Sequence, residues 1–458
     1  MRSIVIIGNG ISGITAARHI RQQSDDRITV ISSETDHFYS RTALMYVYMG
    51  HLEAHHTKPY EDGFWAKNRI ELLRADVLSV NFDKKELALA QFPPPGSNVK
   101  TPTGFEYTYD VLVLATGSKP NFADWPGKQL RGVQGLYGMP DLERMEVTTR
   151  GIRQAVIVGG GLIGIELCEM LQSRGIQVTF LVRERSFWNS VLPDEESALV
   201  TDHIREHSID LRLETEVAEF RGNHEEEVQA VVTTAGEVIP TQFAGIAIGV
   251  SPNIDWLKDT SLETNRGILV NEYLETSQPE VYAIGDCVQH RNPPLGRKSV
   301  EQIWYTGRIM GETVARTILG ERTRYEPGIF FNSAKFFDIE YQTYGDVPAR
   351  LPDDGSLQTF YWAHPDGRKA FRINYRTDTG AVAGMNTLGI RQRQEVWQRW
   401  IEQGKSVQFV LERLAEANFD PEFYKRYEVE IVEKFNAENH GAKVSVTRRK
   451  GFFERLGF

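Results

Sequence analysis

Cysteine is nearly absent from this chain: its 458 residues include two, Cys168 and Cys287. Two cysteines cannot build a disulfide framework or a thiolate zinc site, and such sparing use fits the reducing cytosol. Nowhere do about 18 apolar residues run together, so no segment reads as a membrane span. Met1-Arg2-Ser3 leads straight into Ile4-Val5-Ile6-Ile7 and then glycines. It lacks the extended apolar region and cleavage site of a secretory leader. Positive charge is in deficit: 52 Lys and Arg against 62 Asp and Glu leave a net charge of −10. That excludes a global basic field for nucleic acid, though not a local patch. What remains is the composition of a folded globular protein, 41% hydrophobic and 25% charged. At about 150 residues per domain the length predicts three domains, with cores large enough to need no metal or disulfide for stability.

The apolar run Ile4 to Ile7 ends at Gly8-Asn9-Gly10-Ile11-Ser12-Gly13. A helical pattern follows through Ala16, Ala17 and Ile20, then a β-branched run, Ile28-Thr29-Val30-Ile31. This β-turn-α-β order is the unit that binds a dinucleotide. Gly8 permits the tight bend, Gly10 lets the backbone approach a pyrophosphate, and Gly13 lets helix and strand pack closely. The helix N-terminus offers free N–H groups to phosphate. Glu34, after the second strand, can accept hydrogen bonds from both ribose hydroxyls and would repel a 2′-phosphate.

The unit recurs 151 residues later: a strand at Ala155-Val156-Ile157-Val158, a turn at Gly159-Gly160-Gly161-Leu162-Ile163-Gly164, a helix from Ile165 to Ser173 and a strand at Val178 to Val182. An offset that long indicates two similar domains. The second copy has no acid where Glu34 stands; Arg183 and Arg185 follow its strand, with Glu184 between. These arginines either pair with the 2′-phosphate of NADP or stand as solvated surface groups; the reading leans to NADPH. Two dinucleotide sites in one chain point to electron transfer between them, a nicotinamide delivering hydride to a resident flavin. Pro93-Pro94-Pro95-Gly96 reads as a hairpin tip in a β-rich excursion. Beyond Tyr325 the chain turns β-leaning and aromatic, and then helical near 392–403 and 406–417.

At this point the chain resembles the pyridine nucleotide–disulfide oxidoreductase superfamily over roughly residues 1–340. The most specific stretch is Gly267 to Asn271 through Thr276-Ser277-Gln278-Pro279-Glu280-Val281-Tyr282-Ala283-Ile284-Gly285-Asp286-Cys287. It looks like the family's second FAD motif, in which the aspartate, here Asp286, holds the ribityl chain. Ala115-Thr116-Gly117 resembles the crossover into the nicotinamide domain, Ala247-Ile248-Gly249 the return, and Val77 the backbone contact to adenine. The nearest likeness is to ferredoxin and rubredoxin reductases and the flavin part of nitrite reductase large subunits. Those proteins carry Tyr-x-Arg-x-x-Leu, here Tyr39 to Leu44, which assigns Arg41 to the FAD pyrophosphate. Met45-Tyr46 stands where ferredoxin reductases have Ser-Lys, and Gln302-Ile303-Trp304 where they have Glu-Thr-Trp. Trp304 lies against the isoalloxazine or is simple core.

The resemblance implies an α/β fold: two Rossmann-like dinucleotide-binding domains, for FAD and NAD(P)H, plus a C-terminal α+β interface domain. The expected boundaries are 1–118 and 251–322 for FAD, 119–250 for NAD(P)H and 323–458 for the interface domain. It implies FAD contacts at Gly8, Gly10, Ser12, Gly13, Glu34, Arg41, Val77, Ala115, Thr116, Gly117, Gly285 and Asp286. For NAD(P)H the candidates are Gly159, Gly161, Ile163, Gly164, Glu166, Arg183, Arg185 and Gly249. No protein acid, base or metal is expected; the flavin carries the chemistry. The expected activity is a cytoplasmic NAD(P)H:acceptor reductase whose electrons pass directly to a ferredoxin- or rubredoxin-like protein, with a homodimer formed through the C-terminal domain. Two other readings stand beside it: a membrane-surface NADH:quinone reductase, supported by the tail Arg448-Arg449-Lys450-Gly451-Phe452-Phe453-Glu454-Arg455-Leu456-Gly457-Phe458, and a non-catalytic redox sensor. The cysteines lie far apart in sequence, and the stretch where disulfide relays of this superfamily sit has none, so no thiol relay is expected.

Overall fold

The computed structural model describes residues 1–92, 103–419, 425–439 and 443–447. The Pro93–Gly96 loop and the basic, aromatic tail from Arg448 lie outside the described residues. The chain divides into two compact units, Met1–Arg183 with Thr215–Pro327, and Glu184–Glu214 with Gly328–Phe458. Among the described residues no helix is long and apolar enough to cross a membrane.

The first unit is built on a seven-stranded sheet in the order Val281–Ala283, Val111–Leu114, Ser3–Ile7 (β1), Arg27–Ser32 (β2), Ile70–Asn81, Glu86–Gln91, Thr103–Thr108. The first five strands run parallel and the last two turn back antiparallel. The antiparallel pairing of Glu86–Gln91 with Thr103–Thr108 is the hairpin expected around the proline loop. β1 lies in the middle of the parallel part, and Ile4, Val5 and Ile6 have no exposed surface. Continuous apolar runs belong to such strands because both faces are covered. Helix Ile11–Gln23 (α1) connects β1 to β2 and buries Ile14, Ala16, Ala17 and Ile20. A second helix, packed against α1, sets Gly307 and Gly311 where a Cβ would press into Ser12 and Thr15.

A second parallel sheet within this unit orders Gln177–Leu181, Gln154–Val158 (β3), Ala244–Ile246 and Val133–Gln134. Helix Leu162–Ser173 (α2) follows β3, and Gln177–Leu181 (β4) follows α2. Ser118–Pro120 and Val250–Pro252, just beyond the two crossover phrases, pair as an antiparallel ribbon. The sequence pattern starts the second helix at Ile165, whereas α2 begins at Leu162. The difference has a cause: the third glycine of each motif sits inside the first helical turn, where its missing Cβ allows close packing on the strand.

The second unit carries a five-stranded antiparallel sheet, ordered 331–336, 339–345, 382–388, 370–376, 357–363. Helices Gln394–Glu402, Val407–Glu412 and Glu428–Glu438 supply Trp397, Val410, Leu411, Ile431 and Phe435 to its core. The second expected helical stretch is thus shorter, ending in a 3-10 turn at Leu414–Ala417. Helix Asp194–Glu206 (α3), which the sequence analysis did not single out, belongs to this unit. It sends Glu196 to the guanidinium of Arg372, Oε1 to Nε at 2.6 Å, with both side chains nearly without exposed surface. Burial raises the Glu196 carboxyl against the pull of Arg372. Arg372→Ala leaves that carboxyl buried and unpaired. It should lower the unfolding free energy by about 3–5 kcal/mol, read from the urea midpoint, whereas replacing both partners by apolar residues should cost far less.

Candidate functional site

At the end of β1 the chain turns through Gly8, whose φ of +116° suits glycine. A Cβ there would collide with the carbonyl of Ala115, and one on Gly13 with the carbonyl of Gly8. Gly10 differs: a Cβ on it would meet nothing within 4 Å. Two glycines therefore serve packing, and the one between them leaves open space at the N-terminus of α1, which has no side-chain cap. The second turn repeats the pattern. Gly159 at φ +117° abuts the carbonyl of Ala247, Gly164 abuts that of Gly159, and Gly161 has nothing within 4 Å. Ala115 and Ala247, the starts of the two crossovers, thus occupy equivalent positions.

The first turn opens into a cavity of about 770 Å³. It gathers Gly8, Gly10, Ser12, Glu34, Arg41, Val77, Ala115, Thr116, Gly117, Gly285, Asp286 and Trp304 from the expected flavin contacts, and Ile163 and Glu166 from the expected nicotinamide contacts. Gly13 lies beneath it as packing. Gly159, Gly161, Gly164, Arg183, Arg185 and Gly249 are not among its walls. Arg183 closes the first unit on an exposed surface, and Arg185 belongs to the second, where its guanidinium pairs with Asp194 at 2.9 Å.

The polar floor is one connected network. Glu34 Oε2 accepts from Arg41 Nη2 at 2.7 Å; Oε1 accepts from the Met139 N–H at 2.7 Å and from the Tyr39 hydroxyl. Burial pushes the Glu34 carboxyl up, but Arg41, Tyr39 and Met139 outweigh it and hold the group below its ordinary pKa. Arg41 also donates to the Tyr137 carbonyl at 2.7 Å and lies 4.5 Å from the Tyr137 ring centre. The Tyr137 hydroxyl accepts from the Ser118 N–H at 2.9 Å and reaches Asp286 Oδ2 at 3.4 Å. Burial raises the Asp286 carboxyl, opposed by Arg41, Ser118 and Tyr137. Gln302 Nε2 donates to Ser118 Oγ at 2.7 Å. Trp304 is the first residue of helix Trp304–Ile318 (α4), partly buried, with its ring edge-on to Tyr305. Sequence reasoning passed over Tyr137; its one signal is a pair of flanking glycines, Gly135 and Gly138.

Both cysteines are free and buried. Burial pushes Cys287 up to about 11 and Cys168 well above its ordinary value. Cys287 Sγ lies 3.3 Å from the carbonyl of Ile284.

The sequence matches the family described as "Pyridine nucleotide-disulphide oxidoreductase" over residues 2–308. Among curated relatives it is 25% identical to the nitrite reductase [NAD(P)H] of Bacillus subtilis (strain 168), over 75% of this chain. It spans 41% of that relative's length. It is 28% identical to the 5,5'-dehydrodivanillate O-demethylase ferredoxin reductase subunit of Sphingobium sp. (strain NBRC 103272 / SYK-6), covering 74% of this chain and 81% of the relative. The crystal structure of a ferredoxin reductase from Rhodopseudomonas palustris shares the fold with a TM-score of 0.75 at 21% identity, covering 95% of this chain and 100% of that one.

Glu166 of α2 adds a titration to the cavity. Burial, reinforced by Glu169, pushes its carboxyl up to about 7. Because the native group holds its proton to higher pH than the unfolded one, its contribution to stability is fully present at low pH. It is lost as pH rises from about 4.5 through about 7. Glu166→Gln should therefore match the parent near pH 4 and exceed it near pH 8 by roughly 2–3 kcal/mol, measured by urea unfolding at both pH values. A pH-independent difference would contradict this assignment.

Proposed function

The chain belongs to the pyridine nucleotide-disulphide oxidoreductase family, and from that premise we propose that FAD occupies the 770 Å³ cavity and NAD(P)H approaches it from α2. The protein is an FAD-dependent NAD(P)H oxidoreductase. The observation that carries the proposal is the meeting, in one cavity, of the open glycine turn, Glu34 and Asp286. FAD supplies the electron chemistry, taking hydride from NAD(P)H and passing electrons to an external acceptor.

The chain's own residues bind and orient. Gly10 and the uncapped start of α1 receive the pyrophosphate, with Arg41 beside it as a fork of donors. Glu34 is held ionised, and its Oε2, which takes one bond from Arg41, has room for a ribose hydroxyl. Asp286 takes the ribityl chain, Val77 the adenine edge, and Trp304 the isoalloxazine. Ser12, Ala115, Thr116, Gly117 and Gly285 complete the walls, and Gly13 packs beneath. For the nicotinamide nucleotide, Gly159, Gly161 and Gly164 form the phosphate turn, with Gly249 at the return crossover. Ile163 and Glu166 line the side where hydride crosses, at which point proximity and exclusion of water do the work of the protein. Residues 1–118 and 251–322 serve FAD, 119–250 NAD(P)H, and 323–458 an interface.

The acceptor is a small iron–sulfur protein of ferredoxin or rubredoxin type, a reading supported by the ferredoxin reductase subunit among the relatives. The nucleotide preference leans to NADPH through Arg183; Arg185 would first have to leave Asp194, an exposed pair of little strength. Arg183→Ala should raise the KM for NADPH about tenfold or more over any change for NADH, the loss of a charge-assisted phosphate contact. Equal effects on both nucleotides would remove Arg183 from that role.

Neither thiol is poised to relay electrons, since both are buried with raised pKa. A Cys168→Ser, Cys287→Ser double variant should keep FAD-linked NAD(P)H oxidation with an added acceptor. Anaerobic titration should consume one two-electron equivalent per FAD in the parent and in the variant. Uptake of two equivalents, abolished by the double variant, would overturn direct transfer.

A further inference from the structure

We propose that His203, His207 and Asp338, all in the second unit, form a binding site for a divalent transition-metal ion of the zinc type. The two histidines are four residues apart at the end of α3, so both imidazoles face the same side of the helix. Asp338 comes from the two-residue turn between Phe331–Phe336 (β5) and Ile339–Gly345 (β6), whose flanking residues Phe336 and Ile339 pair. His Nε2 or Nδ1 atoms and an Asp338 oxygen lie within 4.8 Å of one another.

One of the two distances to Asp338 suits a shared ion as it stands, and the other would open by a few tenths of an ångström on binding. Asp338 Oδ1 is 2.7 Å from His203 Nε2 and 3.4 Å from His207 Nε2. For bonds of about 2.1 Å at tetrahedral angles, ligand atoms stand about 3.4 Å apart. His203 is 2% exposed, and neither of its ring nitrogens makes a hydrogen bond among the described residues. Its Nε2 lies against Asp338 Oδ1 as a close polar contact. A buried imidazole so poorly supplied with partners calls for an explanation, and an ion that draws His203 Nε2 and Asp338 Oδ1 apart to ligand separation provides one.

The surroundings are those of a metal site. His207 Nδ1 lies 3.0 Å from the carbonyl oxygen of His203. A carbonyl can only accept, so Nδ1 carries the hydrogen and Nε2 keeps its lone pair, the tautomer a metal requires. Arg368 Nη1 holds the other oxygen of Asp338, Oδ2, at 3.3 Å and so turns Oδ1 toward the imidazoles. The arginine's charge is offset by Glu206, whose Oε2 is 3.5 Å from Arg368 Nη2 and 3.7 Å from His203 Nδ1. Phe337 fixes the turn: its ring stacks on His207 at 4.2 Å and meets His203 edge-on at 6.3 Å. It does so with φ at +54°, a conformation that favours glycine at this place in a hairpin. Packing against the histidines outweighs the local preference, and Asp338 is delivered to them as a result.

Two imidazole nitrogens and one carboxylate oxygen select a borderline ion such as Zn2+ over Mg2+ or Ca2+, which favour all-oxygen shells. Water fills the remaining position. The ion would tie α3 to the β5–β6 hairpin and so brace the second unit.

The test uses the full-length, flavin-loaded protein after dialysis against a chelator. Zn2+ titrated in competition with a chromophoric chelator should load one equivalent per chain and raise the Tm. His207→Gln and Asp338→Asn, both partly exposed, should each weaken binding by about tenfold or more while leaving flavin content and circular dichroism unchanged. In the parent, Co2+ substituted for Zn2+ should give tetrahedral ligand-field bands, read as a difference against the Zn2+ form so that flavin absorbance cancels. No stoichiometric uptake, or the same affinity in both variants, would overturn the proposal. So would a Co2+ spectrum in the parent that matches the aqueous ion, which needs no variant at all.

Discussion

The cavity depends on a contact that only glycine permits. At Gly8 the backbone lies so close to the Ala115 carbonyl that a single methyl group would push the two strands apart. Gly159 and Ala247 repeat the contact in the second half of the first unit. Each contact joins three things: the end of a nucleotide strand, the start of a helix and the start of a crossover. Beyond the crossovers the chain enters the ribbon of Ser118–Pro120 with Val250–Pro252. The same packing that closes the core therefore leaves a gap at Gly10, because the chain must clear the helix N-terminus before it can descend into α1. Ligand space here follows from backbone geometry before any side chain is considered.

Side chains then divide the electrostatics. Among the carboxyl groups that line the cavity, three are treated differently by their surroundings. Glu34 has a guanidinium, a phenol and a backbone N–H on it and stays ionised. Burial dominates at Asp286 and at Glu166, which are driven toward the protonated form. Arg41 lies between Glu34 and the Tyr137 ring, and the Tyr137 hydroxyl leads on to Asp286, so one cation serves both ends of the network. Arg41 thus keeps the acids of this network from repelling one another.

The first unit was largely readable from residue patterns. Ile4 to Ile7, Gly8-x-Gly10-x-x-Gly13 and Ile28 to Ile31 form β1, the turn with α1, and β2. These features are local: short continuous apolar runs, a helical period of 3.6 and glycines in a fixed spacing. The helix start at Leu162 differed from the pattern because the third glycine looks like turn while serving as helix. Tyr137 and Met139 were not legible, since they reach Asp286 and Glu34 across more than 100 residues of chain with no local signature. The His203–His207–Asp338 cluster escaped for the same reason. The i, i+4 histidines alone read as one helix face, and Asp338 joins them only through the tertiary placement of a hairpin. The pairing of Arg185 with Asp194, nine residues on, was not legible either, because the partner lies past a turn that no periodicity marks.

The account stands or falls on whether electrons enter and leave through one flavin. The direct measurement is anaerobic stopped-flow mixing of the purified protein with NADPH or NADH, followed by a second mix with an oxidised ferredoxin or rubredoxin. The flavin absorbance should bleach in the first mix and return in the second, as the iron–sulfur or iron protein becomes reduced in step. A flavin that stays oxidised when either nucleotide is added would contradict the account.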